Sequence, residues 1–154
     1  MAIMINNAPS ARPQWGLCTP DIVVEGLVEG SASRMMWIYA DAEDIPEKVG
    51  SLRSARHDFL EVAQGFDAIF VHWGGSNLAY NALSSSGYDH LDGIYLGDAY
   101  AHRDNTRNVA IEHRGYMVGS EIRELIEDKG FRTDIKSRAA NPFEFSRDGD
   151  RTLS

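Results

Sequence analysis

Two hydrophobic periods share this chain. From Asp21 to Val28 the apolar positions are β-branched (Ile22, Val23, Val24, Val28), and Gly26 reads as a bulge. After the turn Glu29–Ser33, residues Arg34 to Ala40 (Arg-Met-Met-Trp-Ile-Tyr-Ala) read as a buried strand, so the two runs predict a hairpin. The period then changes. Val49, Leu52, Arg56, Phe59, Leu60 and Ala63 recur at helical spacing. Asp44 with Glu47 forms a capping-box pattern, Pro46 suits a first turn, and Gly65 suits a left-handed stop. This predicts a helix from Asp44 to Gly65.

Phe66 to His72 is short, almost wholly apolar and followed by glycines, as in a strand covered on both faces. Gly74-Gly75 lead to Ser76, a candidate N-cap, and a short helix carrying Leu78, Ala82 and Leu83 that ends by Gly87. Gly93 to Gly97 (Gly-Ile-Tyr-Leu-Gly) reads as another buried strand. Val118, Ile122, Leu125 and Ile126 make the stripe of a second helix, capped by Gly119 or Ser120 and stopped at Lys129-Gly130, with Phe131 closing its end. Phe131 to Ile135 alternates like a half-wet strand, and Phe143-Glu-Phe145 reads as a last edge strand.

Prolines at 9, 13 and 20 mark residues 1–20 as an N-terminal extended arm. Residues 21–145 form a single α/β domain, and the polar stretch 146–154 a flexible tail. Strands that alternate with helices predict a small mixed, mostly parallel sheet of about four to six strands with helices packed on its faces.

Charge changes the picture next. The 154 residues carry a net charge of −8, and five cations against thirteen carboxylates in residues 1–101 account for all of it. Such a chain lacks the clustered cations that phosphate backbones and anionic membranes require, so no direct nucleic acid and no membrane is expected. One cysteine excludes an intrachain disulfide. The start of the chain has no cationic segment and too short an apolar run for a signal peptide, which predicts a cytoplasmic protein.

Ligands of open α/β sheets bind beyond the carboxyl ends of strands. The residues just past each expected strand are therefore the candidate chemistry. Asp41 comes after the first sheet pair, His72 ends the central strand, and Asp98 comes after Gly93–Gly97. His72 is a candidate general base, with Asp41 and Asp98 as carboxylate partners. Gly74, Gly75, Ser76 and Asn77 are candidates for holding an anion on a glycine turn and helix start. Tyr100 and Arg103 are candidates for stacking and for pairing with that anion. The same residues serve equally as turn formers and caps. No nucleotide-binding glycine motif and no metal-ligand spacing is present, so no cofactor and no metal is implied.

Two functions stay open. One is a small acidic soluble binding or regulatory protein, an inhibitor or accessory factor whose acidic face meets a basic or nucleic-acid-binding protein partner. The other is an enzyme or binder of a nucleotide, or of a phosphorylated or ribosylated small molecule, using the strand-end cluster.

Overall fold

The computed structural model describes residues 1–134. Numbered along the chain, its strands are β1 (Ala2–Asn6), β2 (Ile22–Leu27), β3 (Ser33–Ile38), β4 (Val49–Gly50), β5 (Phe70–His72), β6 (His90–Asp92), β7 (His102–Arg103) and β8 (Gly115–Met117). Its helices are α1 (His57–Gly65), α2 (Asn77–Ser86), the single turn α3 (Gly93–Leu96) and α4 (Gly119–Asp128). Five strands form the main sheet in the order β2-β3-β1-β5-β6, and β4-β8-β7 form a small second sheet.

Period-two alternation assigns the two faces of the main sheet. Ala2, Met4, Met36, Ile38 and Phe70 pack with Phe59, Leu60 and Ala63 of α1 and with Ala79 and Leu83 of α2. Ile3, Ile5, Met35, Trp37 and Val71 face the other way, onto Ile122, Leu125 and Ile126 of α4 and onto Val49 and Met117 of the second sheet. Helices thus cover both faces, as the alternating elements predict.

The arm is where expectation and structure part first. Residues 2–6 are no arm: Ala-Ile-Met-Ile-Asn is the middle strand, buried along its whole length. A strand covered on both faces is a continuous apolar run, and here the prolines after it mask the signal. β1 pairs antiparallel with β3 and parallel with β5. Two of the four pairings in the sheet are therefore antiparallel, and it is mixed without being mostly parallel.

The long helix is the second correction. α1 begins only at His57, and residues 45–56 are largely extended. Val49 pairs with Met117, and Leu52 bridges Ile5. Spacing that mimics a helix is a set of strand positions, because this segment finds open strand edges to bond. Gly93–Leu96 is likewise a helical turn, with Ile94 and Tyr95 exposed rather than buried. No strand covers residues 131–134, where Phe131 instead packs on the core beside α4 and its N–H donates to Ile126 O at 3.0 Å. Gly26 is no bulge; it sits in register opposite Arg34, and a Cβ there would lie 3.1 Å from Phe59 Cζ.

The hairpin, α2 and α4 stand as expected, except that Val118 rather than Gly119 or Ser120 is the N-cap of α4. Ser76 Oγ accepts the Ala79 N–H at 3.2 Å to cap α2, and Gly87 closes it with φ +60°. The last edge strand (143–145) and the tail (146–154) lie outside the described residues.

Gly119 opens α4 directly beneath the Ile45–Pro46 backbone. A Cβ at this position would sit 2.4 Å from Ile45 O and 2.7 Å from Pro46 O. Gly119→Ala is therefore expected to lower unfolding free energy by about 2–3 kcal/mol, since two backbone carbonyls must move. Gly65→Ala, where a Cβ meets nothing within 4 Å, should shift stability by less than about 1 kcal/mol. Urea titrations of the two variants check the contrast.

Candidate functional site

The extended segment Ser51–Ala55 builds the site. β1 and β5 pair directly only at Ala2–Phe70 and Ile3–Val71. Beyond that point the segment is wedged between them. On one side Asn6 N–H donates to Ser51 O (2.8 Å) and Arg53 N–H to Met4 O (3.0 Å). On the other, Trp73 N–H donates to Arg53 O (3.1 Å), Ala55 N–H to Gly74 O (2.8 Å) and Ser76 N–H to Ala55 O (3.1 Å). The wedge thereby holds Arg53 and Ser54 at the carboxyl ends of β1 and β5.

A cleft of about 370 Å³ opens there. It is lined by Leu52, Arg53 and Ser54 of the wedge, by Trp73, Gly74, Gly75, Tyr80 and Ile94, and by Arg103, Ile111, Glu112 and Gly115. Gly74 has φ +76°, and a Cβ there would also press on Ile94 Cδ1 at 3.0 Å. Arg103 stacks its guanidinium 4.5 Å from the Trp73 ring centre and donates to Ile111 O at 3.2 Å. Asn6 Nδ2 lies 2.8 Å from His113 Nδ1, which ties the Glu112 side of the cleft to the end of β1.

His72 is in the core, not in the cleft. It is 0% exposed. Its Nδ1 lies 2.8 Å from Gly74 O and its Nε2 3.0 Å from His90 Nδ1. A carbonyl only accepts, so Nδ1 carries the proton and Nε2 accepts from His90. Both of its ring nitrogens are thus engaged within the fold. Burial pushes its pKa down, against the raising influence of Asp92.

Asp92, 3% exposed, organises this region. Its Oδ1 accepts the N–H groups of Gly74 (2.8 Å) and Ile94 (2.9 Å), and its Oδ2 accepts the Tyr80 hydroxyl (2.7 Å). Burial first, then the Asp92 carboxylate, pushes the Tyr80 pKa up, so the phenol remains a donor. The Gly74 amide is thus committed to Asp92 and the Ser76 amide to Ala55. Gly74 and Gly75 line the cleft, but Ser76 caps α2 and Asn77 is exposed at its first turn, so the four do not form an open anion cradle.

Asp41 and Asp98 do not join His72. Asp41 comes after β3, which runs opposite to β1 and β5, so it emerges at the other end of the sheet, where it accepts the Glu43 N–H at 3.0 Å. Asp98 is exposed in the turn after α3. Tyr100 packs partly buried on the α4-side core. Of the expected ligand-binding side chains, Arg103 alone reaches the cleft.

The cations that matter most carry no motif that marks them in the sequence. Three of the five in residues 1–101, Arg34, Arg53 and Arg56, gather around Ser54-Ala55. Arg34 is buried (8% exposed) and donates to Ser54 O. Burial, then Arg56 and Arg53, lowers its pKa to about 10. Arg56 pairs with Glu29 at 2.9 Å and donates to Ala55 O at 2.8 Å. Neither the Arg53 guanidinium nor Ser54 Oγ has a hydrogen-bond partner among the described residues. The available signal is Arg-Ser-Ala-Arg inside an apolar frame within an acidic half.

Comparison with known proteins places this domain. Residues 1–132 match the family described as "Protein of unknown function (DUF3048) N-terminal domain". The chain belongs to this family. It is 38% identical over 133 residues to "Putative lipoprotein YerB" of Bacillus subtilis, covering 86% of this chain and 39% of that protein. The crystal structure of YerB from Bacillus subtilis superposes with a TM-score of 0.79 at 37% identity, over 86% of this chain and 44% of that one. The mixed α/β fold is therefore shared with YerB. The chain spans about two fifths of the length of the curated relative it matches.

The relative's name overturns the cytoplasmic expectation, because a relative at this identity is named a lipoprotein. That expectation rests on the first residues of a chain that covers only part of its relative. Among the described residues no helix is long and apolar enough to cross a membrane.

The buried histidines make stability depend on pH. Burial lowers the folded pKa of His72 and that of the half-buried His90. Below the ordinary value of about 6.5 the unfolded chain takes up protons that the folded chain refuses. This stability is complete above that value and drains as pH falls toward the folded pKa. Thermal unfolding followed by circular dichroism should show Tm falling between pH 7.5 and 5.5. His72→Gln should be less stable at pH 7.5 yet show a shallower fall.

Proposed function

We propose that this domain is a binding module that captures an anionic ligand in the cleft between the wedge and the Trp73–Gly75 turn. One observation carries the reading: Arg53 and Arg103 face a single cleft, with Arg34 buried behind them, in a chain of net charge −8. Gathering guanidiniums costs electrostatic energy unless an anion accompanies them. Arg53 forms no ion pair among the described residues. Guanidiniums bind carboxylate and phosphate oxygens through paired N–H groups, and Trp73 pre-positions that of Arg103. Tyr80, Ile94 and Ile111 offer an apolar wall for the body of the ligand, the usual composition of small-molecule clefts.

The role is binding rather than acid–base catalysis, because His72 is sealed and Asp41 lies at the far end of the sheet. Docking of the acidic surface on a basic partner ranks second. Much of that charge is tied up internally: Glu29 with Arg56, Glu43 and Glu47 with Arg123, Asp67 with Arg132. The name of the YerB relative supports a site of action at a membrane-anchored protein outside the cytoplasm, with this domain as one part of it.

A thermal-shift series with 4-methylpentanoate, its neutral amide and inorganic phosphate tests the cleft. An anion at millimolar concentration should raise Tm, and the amide should not. Arg53→Ala and Arg103→Ala should each weaken anion binding by about tenfold or more, the worth of a charge-assisted hydrogen bond. No shift with either anion, or an undiminished shift in the double variant, contradicts the reading.

A further inference from the structure

The cleft holds one carboxylate among its cations. Glu112 lines the same cleft as Arg53, in the 3-10 turn Ile111–His113. That turn is fixed at several points. Asn6 holds His113, Arg103 donates to Ile111 O, and the backbone just beyond it is held where Leu52 N–H donates to Gly115 O at 2.8 Å. Glu112 is therefore presented by an anchored wall.

Arg53 and Glu112 nevertheless form no ion pair, although both line the same space. They feel each other: together with an N–H of its own backbone, the leading influence, and with His113, Arg53 holds the Glu112 carboxyl below its ordinary value. Two opposite charges that face one cleft without closing on each other leave room for a ligand carrying the complementary pair. An anion alone satisfies Arg53 and Arg103 and leaves Glu112 facing it with like charge. A molecule bearing an ammonium beside its carboxylate satisfies all three.

Resting on the proposed anion-binding cleft, we infer that its ligand is a zwitterion: a carboxylate on Arg53 and Arg103, an ammonium on Glu112. The α-amino acid is the smallest molecule of this class. Ser54 Oγ, free among the described residues, supplies one more hydrogen bond in the cleft. The apolar side chain lies along Ile94, Ile111 and Tyr80. The volume, about 370 Å³, also admits a short peptide.

Calorimetric titration of the protein with L-leucine, L-leucyl-L-leucine, 4-methylpentanoate and 3-methylbutylamine tests this class. L-leucine, 4-methylpentanoate and 3-methylbutylamine share one apolar body and differ in which charges they carry, while the dipeptide keeps both charges and sets them further apart. At least one zwitterion should bind about tenfold more tightly than 4-methylpentanoate, and the amine should bind weakest. Preference between the two zwitterions separates a free amino acid from a peptide. Glu112→Gln, at an exposed position that leaves the fold intact, should erase the zwitterion advantage and leave 4-methylpentanoate binding in place or tighter.

If 4-methylpentanoate binds as tightly as both zwitterions, or if Glu112→Gln keeps the gap, the zwitterion inference is overturned while the anion-binding cleft stands. If no probe binds, both are overturned.

Discussion

The pairing of Ser51–Ala55 with two strand edges at once shapes everything around it. β1 and β5 run parallel and share a short ladder, after which their edges diverge. Divergent edges carry N–H and C=O groups that a buried position cannot leave unpaired. The wedge bonds Met4 and Asn6 on one side and Trp73, Gly74 and Ser76 on the other. In doing so it sends Arg53 and Ser54 out at the sheet end and sets the Trp73–Gly75 turn against them. Asp92 completes the lock by tying that turn to α3 and to Tyr80.

Electrostatics then gives the cleft its character. The chain is acidic, yet its first half places most of its cations around one short stretch. Arg34 donates to the wedge from a buried position. Elsewhere the fold pairs its charges, as in Lys48 with Asp104 at 2.5 Å and Arg132 with Asp67 at 2.6 Å. Arg53 departs from that habit. Side chains that stabilise a fold tend to be satisfied within it, whereas a side chain meant for a ligand is satisfied only when the ligand arrives.

How much of this is legible in the sequence depends on which interactions are local. The hairpin, α2 with its Ser76 cap, and α4 with its glycine stop rest on neighbours in sequence, and each can be read there. β1, the wedge and the true start of α1 rest on long-range pairing. Val49, Leu52 and Arg56 carry helical spacing, but open strand edges outcompete that period. The site suffers from the same cause. Convergence of Asp41, His72 and Asp98 requires strands that all run one way, and β3 runs the other. The glycine loop after β5 and Arg103 are legible, and both line the cleft. Arg53 and Asp92 are not, because Arg53 falls inside an apparent helix and Asp92 just outside an apparent strand.

Native-state hydrogen exchange at the wedge is the decisive measurement. The amides of Arg53, Ala55, Trp73 and Ser76 donate across its two sides. If the wedge is integral to the sheet, these four exchange only through global unfolding, as slowly as the amides of β1 and β3. Exchange at loop-like rates, while β1 and β3 remain protected, contradicts this, because the segment then opens on its own and cannot be what holds the cleft in shape.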